Sequence, residues 1–473
     1  MIKKIILAIL SFIFGVMVTS VLTLMFLPVR GRTIVSPSNY GEIEAITQVY
    51  ELLTSRHYFY EGDSEALING AIEGMIRALD DPYSSHFTIP DFEQSMGHLD
   101  ESFSGIGSEV MSVNGYSIIV APMPNSPSEE AGILANDVII EVDGRNVVGE
   151  PLQYVISLIR GPVGTEVTLG IQREGQPELI QFEITRAEIL QESVRADLIL
   201  TEGTAIGYLQ VTTFGESTYR DFVKAIEELE DQGMEALIID LRNNSGGYLG
   251  AVVRMVDYLL PEGKNITTIT SRDGGRTDRR TTGQSPGKTY PIVTLINGGS
   301  ASASEIFAAA MKEAGGQEVI GTTSYGKGTV QESINIDGNS ILQLTIQAWL
   351  TSDGNWINGV GVQPTIEVEA PDFYSFFQVF LEADTILEYD MVHNAVANAQ
   401  NILKALGYDV RRTDGFFDQS TLAAVEAFQE DQDLEVTGII ESRTARALTM
   451  ALREKVRNRD YDTQLQEAIR LLK

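Results

Sequence analysis

The first apolar block is residues 5–27 (IILAILSFIFGVMVTSVLTLMFL), 23 positions without a charge. As a helix it is about 34 Å long, enough to cross a bilayer, and it exceeds the roughly 7–15 apolar residues of a cleaved secretory signal. No clear small-residue cleavage site follows, so an uncleaved transmembrane signal-anchor within residues 1–30 is expected. Residues 31–97 carry apolar positions at three- and four-residue intervals over 42–80, predicting two amphipathic helices that stop at Asp80-Asp81-Pro82. From 98 to 187 the pattern shortens to β-rich runs (SIIVAPM, DVIIEVDG, EVTLGIQR, LIQFEIT) with one helical segment at PLQYVISLIRG, a compact β module. Residues 188–375 alternate apolar strands with helices: AIGYLQV, STYRDFVKAIEELED, EALIIDL, PIVTLIN, ASASEIFAAAMKEA, EVIG and SILQLTIQAWL. That alternation predicts an α/β core with a mainly parallel sheet. Residues 388–452 return to helical periodicity around TDGFFDQST and EVTGIIESRT, and 453–473 form a mixed-charge helical tail.

Composition narrows the function. The 473 residues are 43% hydrophobic and 21% charged, which suits about three folded domains rather than a disordered chain. Lys3 and Lys4 precede the apolar block and Arg30 and Arg32 follow it, so flanking charge leaves its orientation open. With 66 acidic against 34 basic side chains the net charge is −32, a field that repels nucleic acid, so no nucleic-acid partner is expected. There is no Cys, which excludes disulfides, thiolate zinc sites and a cysteine nucleophile. The four histidines are His57, His86, His98 and His393, with none between 99 and 392 and no HExxH spacing. A histidine-ligated catalytic metal and a Ser/His/Asp triad within the core are thereby disfavoured, and no cofactor is expected. Any hydrolytic centre there needs another base.

Two strand-to-helix junctions and one loop carry the candidate chemistry. In LIIDLRNNSGGYLGAVV a strand enters a polar turn and then Gly246-Gly247, whose backbone N–H groups can approach a bound anion without Cβ obstruction. By itself such a pair is also an ordinary tight turn. In PIVTLINGGSASASEIFAAA a second strand runs through Gly298-Gly299 into a helix that begins near Ser300–Ser304. A serine there meets the free N–H groups and positive dipole end of the helix, although capping and close packing use the same residue types. GxSxG is absent, so the common nucleophile elbow does not apply. Lys327, in TTSYGKGTVQES, is the candidate base of a domain without histidine. It can act only as a free amine, which burial without a paired carboxylate favours. Gln331, four residues on, is expected on the same face, where its amide oxygen can hold the amine without adding negative charge.

These motifs together resemble the carboxyl-terminal processing, or tail-specific, proteases, Ser/Lys endopeptidases with a crotonase-like α/β core. The resemblance rests on DDPYSSHF (80–87), FSGIGSEV (103–110), DLRNNSGG (240–247), NGGSASASEIFAAA (297–310) and YGKGTVQ (325–331), in the family's order. It implies that Ser302 is the nucleophile, Lys327 the general base and Gln331 its orienting partner. The oxyanion donors would be the N–H of Ala303 and one from Gly246-Gly247. Ser300 and Ser304 compete with Ser302 by residue type alone, and Ser245 stands where the family usually has proline.

The β module resembles a PDZ domain. FSGIG matches the carboxylate-binding loop, so Gly105, Ile106 and Gly107 are expected to clasp a peptide's C-terminal carboxylate while the chain adds as a strand. Arg160, in LIRGPVG, matches an arginine that in some members links PDZ occupancy to the core; a surface salt bridge is the alternative. Residues 388–452 resemble a small three-helix peptidoglycan-binding module, through Asp414-Gly415-Phe416 and Phe428-Gln429 among others. The implied fold is a crotonase-like α/β core preceded by a PDZ domain, N-terminal helices and one transmembrane helix, with a three-helix module after it. The expected function is a single-pass, membrane-anchored serine endopeptidase with its domains on the extracytoplasmic side, cutting proteins near apolar C-terminal tails beside the cell wall. Helices 42–80 resemble those that family members use to form homodimers. The alternatives are a non-catalytic PDZ and cell-wall scaffold and, within the same fold, acyl-CoA chemistry.

Overall fold

The computed structural model describes residues 42–473 apart from 97–101, 114, 124, 135–136, 174–175, 177, 191, 202, 284, 337, 377–378, 380 and 382–384. The predicted transmembrane segment at 5–27 lies outside these residues. Among the described residues, no helix is long and apolar enough to cross a membrane.

The described residues divide into two compact units, one up to Asp81 and one from Pro82 onward. In the first, α1 (Glu42–Arg56) and α2 (Ser64–Arg77) are the two predicted helices; Asp63 caps α2 by accepting from Ala66 N at 2.9 Å. No side chain of α2 is buried. Ile46, Val49, Leu53, Ile68 and Met75 instead line an exposed apolar cleft of about 530 Å³.

The second unit opens with β1 (Ser85–Thr88) and α3 (Ile89–Met96), then enters the β module. Its strands are β2 (Ser102–Gly105), β3 (Ser108–Val113), β4 (Tyr116–Pro122), β5 (Val138–Val142), β6 (Arg145–Asn146), β7 (Glu166–Gln172), β8 (Ile180–Thr185) and β9 (Ala187–Leu190), with helices α4 (Pro127–Glu130) and α5 (Leu152–Ile159). The antiparallel order is β3-β4-β5-β7-β8, with β6 on β5, while β2 pairs with β9. Alternation along β7 drives Val167, Leu169 and Ile171 into a core with Ile119, Ile139, Val155 and Ile159.

The core sheet has the order β10 (Val194–Leu200), β11 (Ala205–Val211), β12 (Ala236–Asp240), β15 (Ile292–Ile296), β16 (Glu318–Gly321), β19 (Ile366–Glu367), parallel except at β10. The central strands β12 and β15 are buried at every position, as near-continuous apolar runs are when both faces are covered. Helices α6 (Thr218–Asp231), α7 (Leu249–Leu259) and α8 (Ala303–Glu313) cover one face, packing Phe222, Val252 and Phe307 on Leu237 and Ile239. The run SILQLTIQAWL departs from expectation. It forms β18 (Ser340–Leu350) of a separate antiparallel sheet with β1, β13 (Asn265–Ser271), β14 (Arg276–Arg280) and β17 (Thr329–Ile336). Its apolar content specifies a strand, but long-range pairing chooses the sheet.

Beyond the core, α9 (Asn394–Leu406), α10 (Gln419–Asp431) and α11 (Ser442–Arg457) enclose their own apolar cluster. Two fully buried glutamines organise it. Gln400 donates to Phe416 O and Thr421 Oγ1 and accepts from Gly415 N. Gln429 repeats the pattern with Ile439 O, Thr444 Oγ1 and Gly438 N, so each loop is tied to the preceding helix by one satisfied amide. The mixed-charge tail is more than a solvated helix. After α11 the chain forms α12 (Thr463–Leu472), whose Leu465, Ala468 and Ile469 pack on Ile206, Ile238, Val293 and Leu295, the other face of the core sheet.

Candidate active site

The turn after β15 passes through Gly298-Gly299 into the first turn of α8. Of the three serines there, Ser300 and Ser304 are fully buried and committed: Ser300 Oγ donates to Leu241 O and Ser304 Oγ to Asn244 O, both at 2.8 Å. Ser302 is half-buried, immediately precedes α8, and has φ +55° and ψ −112°. A non-glycine residue outside the favoured regions is a local strain that the surrounding contacts must hold.

Glu305 supplies that hold. Its side chain is fully buried, and Oε2 accepts from Ser302 N and from Lys327 N, both at 2.8 Å. Oε1 accepts from Ser324 Oγ and Gly326 N, both at 2.6 Å. One carboxylate therefore fastens the backbones of the serine and lysine loops together. Sequence reasoning missed this residue, although Ser-x-x-Glu at a helix entrance is a capping-box signature.

Lys327 lies in the loop before β17 and is half-buried. Its carbonyl accepts from Trp349 Nε1 at 3.0 Å, and its Nζ stands 5.0 Å from the centroid of the Tyr83 ring, which comes from the DDPYSSHF motif. Gln331 follows a bulge between Val330 and Gln331, so strand alternation does not fix its side relative to Lys327. Its amide nitrogen donates to Thr329 Oγ1 at 2.8 Å and Thr345 Oγ1 at 3.0 Å. Both N–H donors are thus occupied, which leaves the oxygen as the amide's acceptor.

The turn after β12 meets the turn after β15 through reciprocal bonds: Asn243 N donates to Asn297 Oδ1 and Asn297 Nδ2 to Asn243 Oδ1. Gly246 (φ +109°) lies so close that a Cβ on it would stand 2.9 Å from Ser302 Cβ and 3.0 Å from Ala303 N. Gly247 (φ +143°) leaves only 2.4 Å to Phe214 O. Of the Gly246-Gly247 pair, from which one N–H donor is expected, Gly246 N is already spent on Asn244 Oδ1 at 2.9 Å. Gly247 N and Ala303 N have no acceptor among the described residues.

In the β module a groove of about 180 Å³ opens between β3 and α5, lined by Ile106, Gly107, Val110, Ile156 and Ile159. The carbonyls of Ile106 and Gly107 are taken by Ser128 N and Met123 N, while their own N–H groups find no acceptor among the described residues. Gly105 lies at the end of β2, beside the Phe103 ring. Arg160 ends α5 and lines the same groove with its guanidinium 5.0 Å from the Phe103 centroid; among the described residues it makes no ion pair.

A layered α/β core with a half-buried, strained serine at a helix entrance, a lysine loop fastened to it and a grooved β module define a serine-type peptidase. Family profiles match accordingly: peptidase family S41 over residues 205–368, a PDZ domain over 118–173, a peptidoglycan binding domain over 392–448, and the N-terminal domain of the activating protease CtpB over 30–88. The carboxy-terminal processing protease CtpB of Bacillus subtilis is 40% identical over 430 residues, 91% of this chain and 89% of that protein. CtpA of the same organism is 36% identical over 433 residues, 92% and 91% of the two chains. Among solved structures, the photosystem II D1 C-terminal processing protease aligns at 28% identity with a TM-score of 0.44, covering 68% of this chain and 86% of that one. The chain belongs to peptidase family S41, as a C-terminal processing serine protease with a PDZ domain and a peptidoglycan binding domain. The non-catalytic scaffold and the acyl-CoA alternatives give way to this reading.

Proposed function

We propose that Ser302 and Lys327 perform the peptide cleavage. The neutral amine of Lys327 takes the Ser302 hydroxyl proton as Oγ attacks the scissile carbonyl. The oxyanion is stabilised by the N–H groups of Gly247 and Ala303, with Gly246 giving the close approach. The ammonium of Lys327 then protonates the leaving amine, and water hydrolyses the acyl-enzyme with the amine again as base. Gln331 orients Lys327 through its amide oxygen. The observation that carries this reading is Glu305, which binds the main chains of both residues with one carboxylate. Ser302→Ala and Lys327→Ala should each remove cleavage of a denatured protein substrate by at least about 10³-fold while circular dichroism stays unchanged. Retained cleavage in either variant removes the mechanism.

The substrate proposed is a protein with an apolar C-terminal tail. The apolar groove supports the side-chain preference, and the unpaired N–H groups of Ile106 and Gly107 support capture of the terminal carboxylate. The setting proposed is the outer face of the cytoplasmic membrane, with residues 5–27 as a single-pass anchor and the peptidoglycan binding domain at the wall. The exposed apolar face of α1 and α2 supports homodimerisation. The covered parallel sheet supports a core of crotonase-like type. Coupling from the PDZ groove to the core through Arg160 is proposed on its position at the groove wall.

A further inference from the structure

The last helix of the chain reaches the turn that carries the oxyanion donor. Arg242, two residues past the end of β12, immediately precedes the turn Asn243–Gly247. Its backbone N donates to Asp240 Oδ1 at 3.0 Å, and its Nη2 donates to Asp240 Oδ2 at 2.6 Å. The outer edge of the guanidinium is held by a residue 220 positions later. Nη1 and Nη2 donate to Asp462 Oδ1 and Oδ2, both at 2.8 Å, and Nη1 also reaches Gln464 Oε1 at 3.0 Å. The ion-paired side chains are mostly buried, at 13% exposure for Arg242 and 9% for Asp462. Burial opposes the charge of Arg242, but Asp240 and Asp462 outweigh it and its pKa is raised.

Asp462 is itself fixed. It caps α12 by accepting from Leu465 N at 3.0 Å, and Gln464 Nε2 donates to Val368 O at 2.7 Å, beside β19. Leu465, Ala468 and Ile469 then close the open face of the core sheet. The peptidoglycan binding domain therefore lies between two parts of the catalytic fold rather than after it.

Resting on the proposed Ser302 site, we infer that Asp462 is a positioning residue for peptide hydrolysis. Through a bidentate pair with Arg242 it fixes the turn that aims Gly247 N–H at the oxyanion and seats Gly246 against Ser302. A fork gripped from both edges cannot pivot, so β12 delivers the turn in one register. Neutralising Asp462 leaves the Arg242 charge balanced by Asp240 alone and frees one edge of the fork.

The test uses the full chain with Asp462→Asn, Asp462→Glu and Leu465→Ala, beside Ser302→Ala. Asp462→Asn should lower kcat about 10- to 100-fold with KM within about twofold, because a displaced donor is felt mainly in the transition state. Asp462→Glu, which keeps the charge, should recover at least part of that loss. Leu465→Ala, a packing change, should lower the melting temperature and leave kcat within about twofold. The inference is overturned if Asp462→Asn keeps wild-type kcat while Ser302→Ala is inactive. It is also overturned if Leu465→Ala lowers kcat as much as Asp462→Asn does. Activity in Ser302→Ala would instead remove the site reading on which the inference rests.

Discussion

The Glu305 carboxylate receives four hydrogen bonds in a fully buried position, so its nearest isostere is a poor replacement. In Glu305→Gln one oxygen becomes an NH₂ that faces donors, which costs about 2–4 kcal/mol of stability and loosens both loops. Cleavage should fall at least about 100-fold at saturating substrate, measured on protein that chemical denaturation shows to be folded. Wild-type kcat in that variant would contradict the role given to the carboxylate. Ser300 and Ser304 make the complementary case. Their hydroxyls satisfy carbonyls of the neighbouring turn, so Ser304→Ala should destabilise by about 1–3 kcal/mol without removing the nucleophile. Active-site titration separates these outcomes, because a destabilised enzyme keeps its full count of reactive serines when folded.

Helix α12 shows how an element acquires meaning only from its destination. Leu465, Ala468, Ile469 and Leu472 recur at helical spacing, so the helix was legible; nothing in that spacing names the sheet face it covers. Because Leu465 is almost wholly buried there, Leu465→Ala should cost about 2–5 kcal/mol, read from the denaturant midpoint of unfolding. A neutral result would detach α12 from the core. Strand β18 tells the same story, since its composition marks a strand while pairing with β1, more than 250 residues earlier, decides its sheet. The core strands were legible because short, mostly apolar β-branched runs such as Ile292–Ile296 have few alternatives. Ser302, Lys327 and the Gly246-Gly247 pair could be singled out from their motifs; the contacts of Glu305 with Ser324, Gly326 and Lys327 and of Asp462 with Arg242 could not, because those partners lie in other segments.

At the scale of the molecule, the PDZ domain and the protease core each have their own apolar core. If the Ile106 and Gly107 N–H groups bind a terminal carboxylate, a labelled peptide with an apolar free C-terminus should bind Ser302→Ala protein at least about tenfold more tightly than its amidated form. Fluorescence anisotropy reads the difference, and equal affinity would remove the groove from tail recognition. Helices α1 and α2 expose apolar residues, and among the described residues up to Asp81 none is buried. If the proposed homodimer forms through this face, Val49→Glu with Met75→Glu should lower the mass in sedimentation velocity from dimer to monomer; a monomeric wild type or an unchanged mass would contradict the proposal.

The central claim, an uncharged lysine that activates Ser302, is tested most directly by the rate at which a fluorophosphonate labels the protein across pH. The label should map to Ser302, its rate should rise with pH as the amine loses its proton, and Lys327→Ala should slow it by at least about 100-fold. Labelling of another serine, or the same rate and pH profile without Lys327, would contradict the account.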